Sequence, residues 1–306
     1  MRLLAIATLA ALPFVCHAQA PSPAPATTDA PKAVLVTGAS TGIGRKITEH
    51  LASRGYFVYA GARKQADLDA LNAIENVQAL RLDVTKAEDI DAAVATVTKG
   101  GRGLYGLVNN AGIATLGSVA DTSMEEFDLL MDVNVYGPYR MTKAFTPLVA
   151  ASKGRITNIG SISGILAGRD VSAYAMSKHA IEAFTDSLAT QLAPLGVYVN
   201  VVEPGNYDSE IGKNLQRRIG GDNRFADRSR YKKPDEVATA VELALFEEKP
   251  KRRYMTVPEQ REAEITIRKQ IEQLVQLNEG HPYSYDRDAL VKMLDEALAT
   301  ARPRTN

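Results

Sequence analysis

The clearest indication of the architecture is Ala33-Val34-Leu35-Val36-Thr37-Gly38-Ala39-Ser40-Thr41-Gly42-Ile43-Gly44, where an apolar run ends in a glycine-rich turn. An amphipathic segment, Ile43–Ser53, follows directly, so the turn joins a strand to a helix. Glycines in such a turn let the backbone approach a pyrophosphate, whose charge the helix N-terminus stabilises. The spacing G-x-x-x-G-x-G differs from the common G-x-G-x-x-G, so the match is one of mechanism. The turn predicts a dinucleotide site formed by Gly38, Ser40, Thr41, Gly42, Ile43 and Gly44.

Short β-branched runs alternate with helical segments along the rest of the chain. Strands separated by helices of this length imply right-handed βαβ crossovers and a parallel sheet covered on both faces. The predicted fold is α/β, a single domain with a doubly wound parallel sheet of the Rossmann type. The predicted strands are Ala33–Thr37, Phe57–Ala60, Val77–Leu82, Gly106–Asn109, Arg155–Ile159, Val197–Val202 and an edge strand, Arg252–Val257. The predicted helices are Ile43–Ser53, Lys86–Thr98, Met124–Val149, Ala173–Leu192 and, in a C-terminal helical extension, Glu259–Leu277 and Arg287–Thr300.

Composition excludes several other classes of protein. The chain has 306 residues, of which 45% are hydrophobic and 24% charged, as in ordinary globular proteins. Its 36 Lys and Arg balance 36 Asp and Glu, so no net charge attracts nucleic acid. Cys16 is the single cysteine, which excludes an intrachain disulfide and a cysteine-rich zinc site. His50 and His281 have no second ligand at metal spacing, so we predict no metal site.

The N-terminal segment has the pattern of a targeting sequence. The apolar run Leu3–Val15 follows Arg2 and ends near Ala18-Gln19-Ala20, as in a secretory signal peptide. The run is shorter than the roughly 20 residues of an ordinary membrane span. We therefore predict a signal peptide or N-terminal anchor at residues 1–20, followed by an Ala- and Pro-rich linker at 21–31. A cleaved leader implies a periplasmic or secreted protein, whereas a mis-assigned start codon implies a cytoplasmic one.

The end of the second strand indicates which dinucleotide binds. An NAD(H) site places a carboxylate there, about 20 residues past the glycines, to bind the ribose hydroxyls. The chain reads Phe57-Val58-Tyr59-Ala60-Gly61-Ala62-Arg63-Lys64, without a carboxylate, and Arg63 can pair with a 2′-phosphate. NADP(H) is therefore favoured over NAD(H). The alternative is that Arg63 and Lys64 only solvate a loop.

Tyr174 and Lys178 are the first catalytic candidates. In Tyr174-Ala175-Met176-Ser177-Lys178 the two side chains share one helix face, so the phenol and the ammonium can point into the same cleft. A nearby cation lowers the pKa of a phenol from its ordinary value near 10, which suits a general acid/base. Taken alone, this spacing is usually an exposed helix face. Its place after a strand that ends in Asn158-Ile159-Gly160-Ser161 favours the catalytic interpretation.

Together these motifs resemble the short-chain dehydrogenase/reductase family, over about Lys32 to Pro250. The resemblance rests on Thr37–Gly44, Asn109-Asn110-Ala111-Gly112, Asn134, Ser161, Tyr174 with Lys178, and Pro204-Gly205, in the family's order and spacing. Within the family, Val202–Asn206 and Lys251–Met255 are similar to a bacterial branch near retinol and 17β-hydroxysteroid dehydrogenases. The resemblance implies that residues 32–306 form an NADP-binding catalytic domain, with 251–306 as its C-terminal extension.

The resemblance also implies a role for each matching residue. Tyr174 would exchange a proton with a carbonyl or alcohol, and Ser161 would hydrogen-bond the same substrate oxygen. Lys178 would hold the nicotinamide ribose and lower the pKa of Tyr174. Asn134 would hold a water that connects Lys178 to solvent. Further cofactor contacts would come from Asp83, Val84, Asn110, Ala111, Gly112, Pro204 and Gly205, while Ser209 stands where the family often has threonine.

The predicted function is NADP(H)-dependent interconversion of a secondary alcohol and a ketone or aldehyde. The alternatives are sugar-nucleotide epimerase or dehydratase chemistry, and a non-catalytic NADP(H)-binding sensor. The segment Asn206–Lys233 is rich in Arg and Lys, as in a lid for an anionic substrate or in a solvated loop. Apolar residues between Ser161 and Tyr174 favour a hydrophobic alcohol or ketone. The long predicted helices Met124–Val149 and Ala173–Leu192 could form the face of a homodimer or homotetramer.

Overall fold

The structure is a computed structural model that describes residues 31–219 and 229–300. The predicted leader and most of the predicted linker lie outside the described residues, as do Arg224, Phe225 and Arg228 of the basic segment. The described part of the chain includes every predicted catalytic and cofactor-binding residue.

Seven strands form one parallel sheet in the described chain, which confirms the predicted fold class. They are β1 (Ala33–Val36), β2 (Phe57–Ala62), β3 (Val77–Arg81), β4 (Gly106–Asn109), β5 (Arg155–Ile159), β6 (Tyr198–Pro204) and β7 (Arg253–Thr256). Their order is β3-β2-β1-β4-β5-β6-β7, and every neighbouring pair is parallel. Val34 pairs with Val58 on one side and Gly106 on the other, so the winding reverses between β1 and β4. Ligands bind at such a reversal, beyond the carboxyl ends of the strands.

Helices cover both faces of this sheet. Leu35 packs with Phe145 and Leu188 on one face, whereas its neighbour Val34 packs with Leu51 and Val241 on the other. Strands buried on both faces explain the continuous apolar runs of the sequence. The helices are α1 (Gly42–Ser53), α2 (Gln65–Asn72), α3 (Ala87–Lys99), α4 (Met124–Met131), α5 (Gly137–Ala151), α6 (Ser172–Leu192), α7 (Ile211–Ile219), α8 (Asp235–Phe246), α9 (Gln260–Asn278) and α10 (Arg287–Thr300). Of these, α2, α7 and α8 are not among the predicted helices.

The prediction of one α-helix over Met124–Val149 is wrong. The helix α4 ends at Met131, a π-helical turn spans Asp132–Tyr136, and α5 begins at Gly137. Pro138 has no N–H to donate to the Asn134 carbonyl four residues earlier, so the α-helical bond cannot form there. Such turns are frequent at functional sites, and this one carries a predicted site residue.

The C-terminal extension packs more loosely than the helices on the sheet. Thr266 is the buried residue of α9, and α10 has none. Leu277 in α9 is 77% exposed and Leu298 in α10 is 61% exposed. Among the described helices, none combines the length and the apolar character that crossing a membrane requires. The sheet and its covering helices therefore contain the core.

Candidate active site

The glycine-rich turn joins β1 to α1 at the carboxyl edge of the sheet. Gly38 has φ +64°, a left-handed conformation that favours glycine, and a Cβ there would lie 2.8 Å from the Ala111 Cα. The Thr37 Oγ1 accepts hydrogen bonds from the backbone N–H groups of Asn110 and Ala111, both at 3.0 Å. The Asn110 side-chain amide donates to the carbonyls of Thr37 and Gly38. The turn and the loop after β4 are thus held together as one cradle.

The N-terminus of α1 completes this cradle. The helix begins at Gly42, and its N-cap residue, Thr41, makes no side-chain hydrogen bond to the helix. A side chain at Gly44 would overlap the Gly38 carbonyl and the Asn110 amide. The first N–H groups of α1 thus have no side-chain cap, and the turn packs too closely to accept a side chain at Gly44. Uncapped N–H groups beside a glycine-rich turn suit a phosphate.

A cleft of about 490 Å³ runs along the carboxyl ends of the strands from this cradle. Three of the four predicted catalytic residues, Ser161, Tyr174 and Lys178, line it. Asn134 is not part of the wall. All the predicted cofactor residues do line the cleft, namely Gly38, Ser40, Thr41, Gly42, Ile43, Gly44, Arg63, Asp83, Val84, Asn110, Ala111, Gly112, Tyr174, Lys178, Pro204 and Gly205.

One end of the cleft is exposed and carries Arg63. Its side chain is 68% exposed, and its Nη1 lies 3.9 Å from the Asp83 Oδ2. The Asp83 Oδ1 accepts hydrogen bonds from the Thr85 backbone N–H at 3.1 Å and from its hydroxyl at 2.8 Å. The neighbouring end of β2, Gly61-Ala62, contributes no carboxylate. This end therefore offers an exposed cation beside a fixed acid.

Lys178 is buried at the opposite end of the cleft. Its Nζ donates to the Ile159 carbonyl at the end of β5, at 2.9 Å, and lies 5.7 Å from the centroid of the Tyr174 ring. Burial lowers the pKa of Lys178 to about 8, and the negative charge of Glu182 opposes this shift. The predicted phenol and amine thus face the same cleft from one face of α6.

Ser161 lines the same cleft, two residues after the end of β5. It caps a short 3₁₀ turn, Ile162–Gly164, and its Oγ accepts a hydrogen bond from the Ser163 backbone N–H at 3.0 Å. The Ser161 hydroxyl is also 3.4 Å from the Pro204 carbonyl, as a donor. These contacts fix the hydroxyl oxygen at the cleft wall.

Asn134 lies behind the wall rather than in it. Its side-chain Oδ1 accepts from the Ile113 N–H at 2.9 Å, and its Nδ2 donates to the Ile113 carbonyl at 2.9 Å and to the Ser177 Oγ at 3.0 Å. The residue is 2% exposed. The amide therefore ties the π-helical turn to the loop after β4 and to α6, three residues after Tyr174.

Helix α9 also contributes to the cleft, which the sequence motifs do not predict. Glu262 accepts hydrogen bonds from the backbone N–H of Asn206 at 3.0 Å and from its side-chain amide at 2.8 Å. Glu262 and Ile265 both line the cleft. No local signal marks this contact, because 56 residues separate its two partners.

The basic segment Asn206–Lys233 is largely neutralised where it is described. Arg218 pairs with Glu126 through two nitrogens, at 2.9 and 3.0 Å, and donates to the Ala114 carbonyl at 2.6 Å. Lys233 pairs with Asp208 at 2.5 Å. Within residues 206–219 and 229–233, no Arg or Lys lines the cleft. The described part of this segment therefore forms ion pairs at the surface and does not form a binding site for an anionic substrate.

These residues fit a dinucleotide. The open helix N-terminus and the cradle at Gly44 suit a pyrophosphate, and the cleft connects them to the buried end at Lys178. Within residues 31–219 and 229–300, no three His, Cys, Asp or Glu side chains are grouped as metal ligands. Fold and site together define a dinucleotide-binding α/β protein.

Comparisons with known proteins agree. Residues 32–220 match the family described as short chain dehydrogenase. The chain is 42% identical over 199 residues to mitochondrial D-beta-hydroxybutyrate dehydrogenase of Rattus norvegicus, a match that covers 61% of this chain and 58% of that protein. It is 32% identical over 282 residues to retinol dehydrogenase 7 of the same species, covering 90% and 79%. A solved structure of an actinorhodin polyketide ketoreductase variant with NADPH superposes with a TM-score of 0.66, at 28% identity over 76% of this chain and 97% of that one.

The chain belongs to the short-chain dehydrogenase family, and the fold of that family binds a nicotinamide cofactor. The predicted resemblance to retinol and steroid dehydrogenases is confirmed. The chain spans somewhat more than half the length of the hydroxybutyrate dehydrogenases that it matches.

Proposed function

We propose that this protein is an NADP(H)-dependent oxidoreductase that interconverts a secondary alcohol and a ketone or aldehyde. The observation that carries the proposal is the common placement of Ser161, Tyr174 and Lys178 on the wall of one dinucleotide-sized cleft. A protein that only binds the cofactor has no need of a buried amine beside a phenol. An enzyme that transfers a proton to a substrate oxygen does need such a pair.

Each residue of this wall has a distinct task in the proposed reaction. When bound, the nicotinamide supplies or accepts the hydride. The Tyr174 hydroxyl gives its proton to the carbonyl oxygen during reduction, or takes the alcohol proton during oxidation. Ser161, already oriented by the Ser163 N–H, donates to the same oxygen. Lys178 holds the ribose and keeps a positive charge near the phenol.

Asn134 supports these residues from behind. Its side-chain amide is engaged by Ile113 and Ser177, so it acts as a positioning residue. Its backbone carbonyl lacks an α-helical donor because Pro138 has no N–H. We assign the acceptance of a relay water to this carbonyl rather than to the side chain.

Arg63 supports the preference for NADP(H). The Arg63 guanidinium lies 3.9 Å from Asp83, and a 2′-phosphate would offer it a dianion as a stronger partner. No carboxylate from β2 competes for the ribose hydroxyls.

The lining of the cleft supports an apolar substrate. Leu116, Leu166, Val171, Leu215 and Ile265 line it, its two cations, Arg63 and Lys178, are assigned to the cofactor, and its other charged residues are the carboxylates Asp83, Glu210 and Glu262. Apolar walls favour a hydrophobic alcohol or ketone, whereas a small hydroxy acid needs a cation.

A carbonyl panel with purified protein tests the proposal. Oxidation of NADPH, followed by the loss of the absorbance of reduced nicotinamide, should be fastest with apolar ketones or aldehydes and slower with NADH. Binding of NADPH without turnover on any carbonyl or alcohol would support the sensor alternative. Turnover that favours NADH would contradict the proposed pairing of Arg63 with a 2′-phosphate, but it would leave the proposed reaction unchanged.

A further inference from the structure

A cluster of charged groups lies directly behind Lys178, and the proposed reaction does not use it. Glu182 follows Lys178 by one turn of α6, Glu203 belongs to β6, and Arg253 belongs to β7. Asp186, one turn further along α6, completes the cluster. The turn Ile162–Gly164 above it contributes no titratable side chain.

The Glu182 side chain supports the wall that carries Ser161. A Cβ at Gly160 would lie 2.9 Å from the Glu182 Oε1, and one at Gly164 would lie 3.0 Å from the same atom. The backbone on either side of Ser161 therefore packs directly against this carboxylate. The residue before Gly160, Ile159, provides the carbonyl that accepts from Lys178.

Charges within the cluster do not balance. The Arg253 Nε binds Glu182 at 3.1 Å, and its two terminal nitrogens bind Asp186 at 3.1 and 2.7 Å. Glu203 is only 3.9 Å from the same Nε and is 2% exposed. Three carboxyl groups thus share one guanidinium, which favours a proton on one of them.

Glu203 is the group that takes up this proton as the pH falls below about 7. Burial, reinforced by the charge of Glu182, raises the pKa of Glu203 to about 7. Oε1 of Glu182 and Oε1 of Glu203 have no donor among the described residues. Burial also raises the pKa of Glu182, but Arg253 opposes this shift, so the proton goes to Glu203 and leaves Glu182 ionised against Arg253.

We infer that Glu182 is a positioning residue that keeps the buried Lys178 ammonium charged. The inference rests on the proposed function, in which a charged Lys178 holds the ribose. Glu182, one helical turn from Lys178, is the charged side chain that favours the ammonium form of Lys178. Burial alone would drive the amine towards neutrality.

Titration of Lys178 in the ligand-free full-length chain tests the inference without turnover. The ¹³Cε resonance of Lys178, assigned through Lys178→Arg, is followed against pH by NMR. Glu182→Gln should lower the Lys178 pKa by about one pH unit, the lower end of the effect of a close opposite charge. Asp186→Asn is the matched control, since it also removes a partner of Arg253 but is 54% exposed. Glu182→Asp should restore at least half of the shift.

NADPH binding, read by cofactor fluorescence, gives a second readout. A shift of one pH unit from about 8 reduces the charged fraction of Lys178 at pH 8 about fivefold, so Glu182→Gln should bind NADPH about fivefold more weakly there and normally at pH 6. An unchanged Lys178 titration in Glu182→Gln, or an equal shift in Asp186→Asn, would overturn the inference. Neither result touches the proposed function, whose failure would appear as normal turnover without Tyr174.

Discussion

Asn134 and Asn278 make the same pair of hydrogen bonds in two different regions of the molecule. The Asn134 amide binds both the N–H and the carbonyl of Ile113, and the Asn278 amide binds both backbone groups of Tyr285. Asn134 is 2% exposed beneath the cleft, whereas the bonds of Asn278 are exposed to solvent at the end of α9. The same chemistry fixes a site in one region and only closes a turn in the other, because water competes for the second.

The cleft repeats this contrast at its two ends. Lys178 is 8% exposed and bound to a backbone carbonyl, while the Arg63 side chain is 68% exposed. Charges in the buried end are screened little, so changes there should have large effects. Changes at the exposed end should alter affinity and selectivity by smaller factors.

The largest expected effect is that of Tyr174→Phe. Loss of the proton donor should lower kcat on the order of 10³-fold, because general acid/base catalysis contributes about 10²- to 10⁴-fold. NADPH binding should stay within about twofold of the parent, since backbone groups together with Thr37 and Asn110 form the cradle. Steady-state kinetics and fluorescence titration measure the two quantities.

The control is Tyr283→Phe, at a side chain that is 80% exposed, and it should behave as the parent does. Turnover of Tyr174→Phe within about tenfold of the parent would remove Tyr174 from the mechanism.

The two asparagines provide the next test. Asn134→Ala should lower the free energy of unfolding by about 3 kcal/mol, because buried partners at Ile113 and Ser177 lose their hydrogen bonds. Asn278→Ala should cost less than about 0.5 kcal/mol, since water replaces the lost bonds. Urea unfolding measures both. Equal costs would mean that burial does not distinguish the two regions.

Glu203 predicts a pH-dependent difference in stability. Its pKa is raised from 4.5 to about 7 in the folded protein, so its contribution to stability is full below pH 4.5 and is lost as the pH rises through 7. Between about pH 4.5 and 7.5, the free energy of unfolding of Glu203→Gln should therefore rise relative to that of the parent by on the order of 2 kcal/mol. Urea unfolding at several pH values tests this, with Glu279→Gln at the surface as the control. A difference that does not vary with pH would contradict the placement of the proton.

The smallest effect is expected at Arg63. Arg63→Ala should weaken NADPH binding about tenfold while NADH binding changes little, because one exposed charged contact to a phosphate is lost. Lys64→Ala, next to it outside the cleft wall, is the control. Ala62→Asp should move the preference further, by adding a carboxylate for the ribose hydroxyls. Retention of the parent's preference for NADPH in both Arg63→Ala and Ala62→Asp would contradict the assignment.

Sequence patterns predicted the features that depend on neighbouring residues. The strand, turn and helix of Ala33–Gly44 follow from local apolar runs and glycines, and Tyr174 and Lys178 follow from helical spacing. The break at Asp132–Tyr136 also has a local cause, Pro138, but the apolar period of Met124–Val149 continues across the break and hides it. The contact of Glu262 with Asn206 has no local sign at all.

Local patterns were sufficient to predict the alternation of strands and helices, the cradle for a pyrophosphate, and a phenol and an amine on one helix face. The place of Asn134 behind the cleft, the contribution of α9 to its wall and the cluster of Glu182, Glu203 and Arg253 follow from the folded arrangement alone. These features differ because their residues are far apart along the chain. Periodicity and turn chemistry act over a few residues, whereas burial and the pairing of charges depend on which distant segments the sheet brings together.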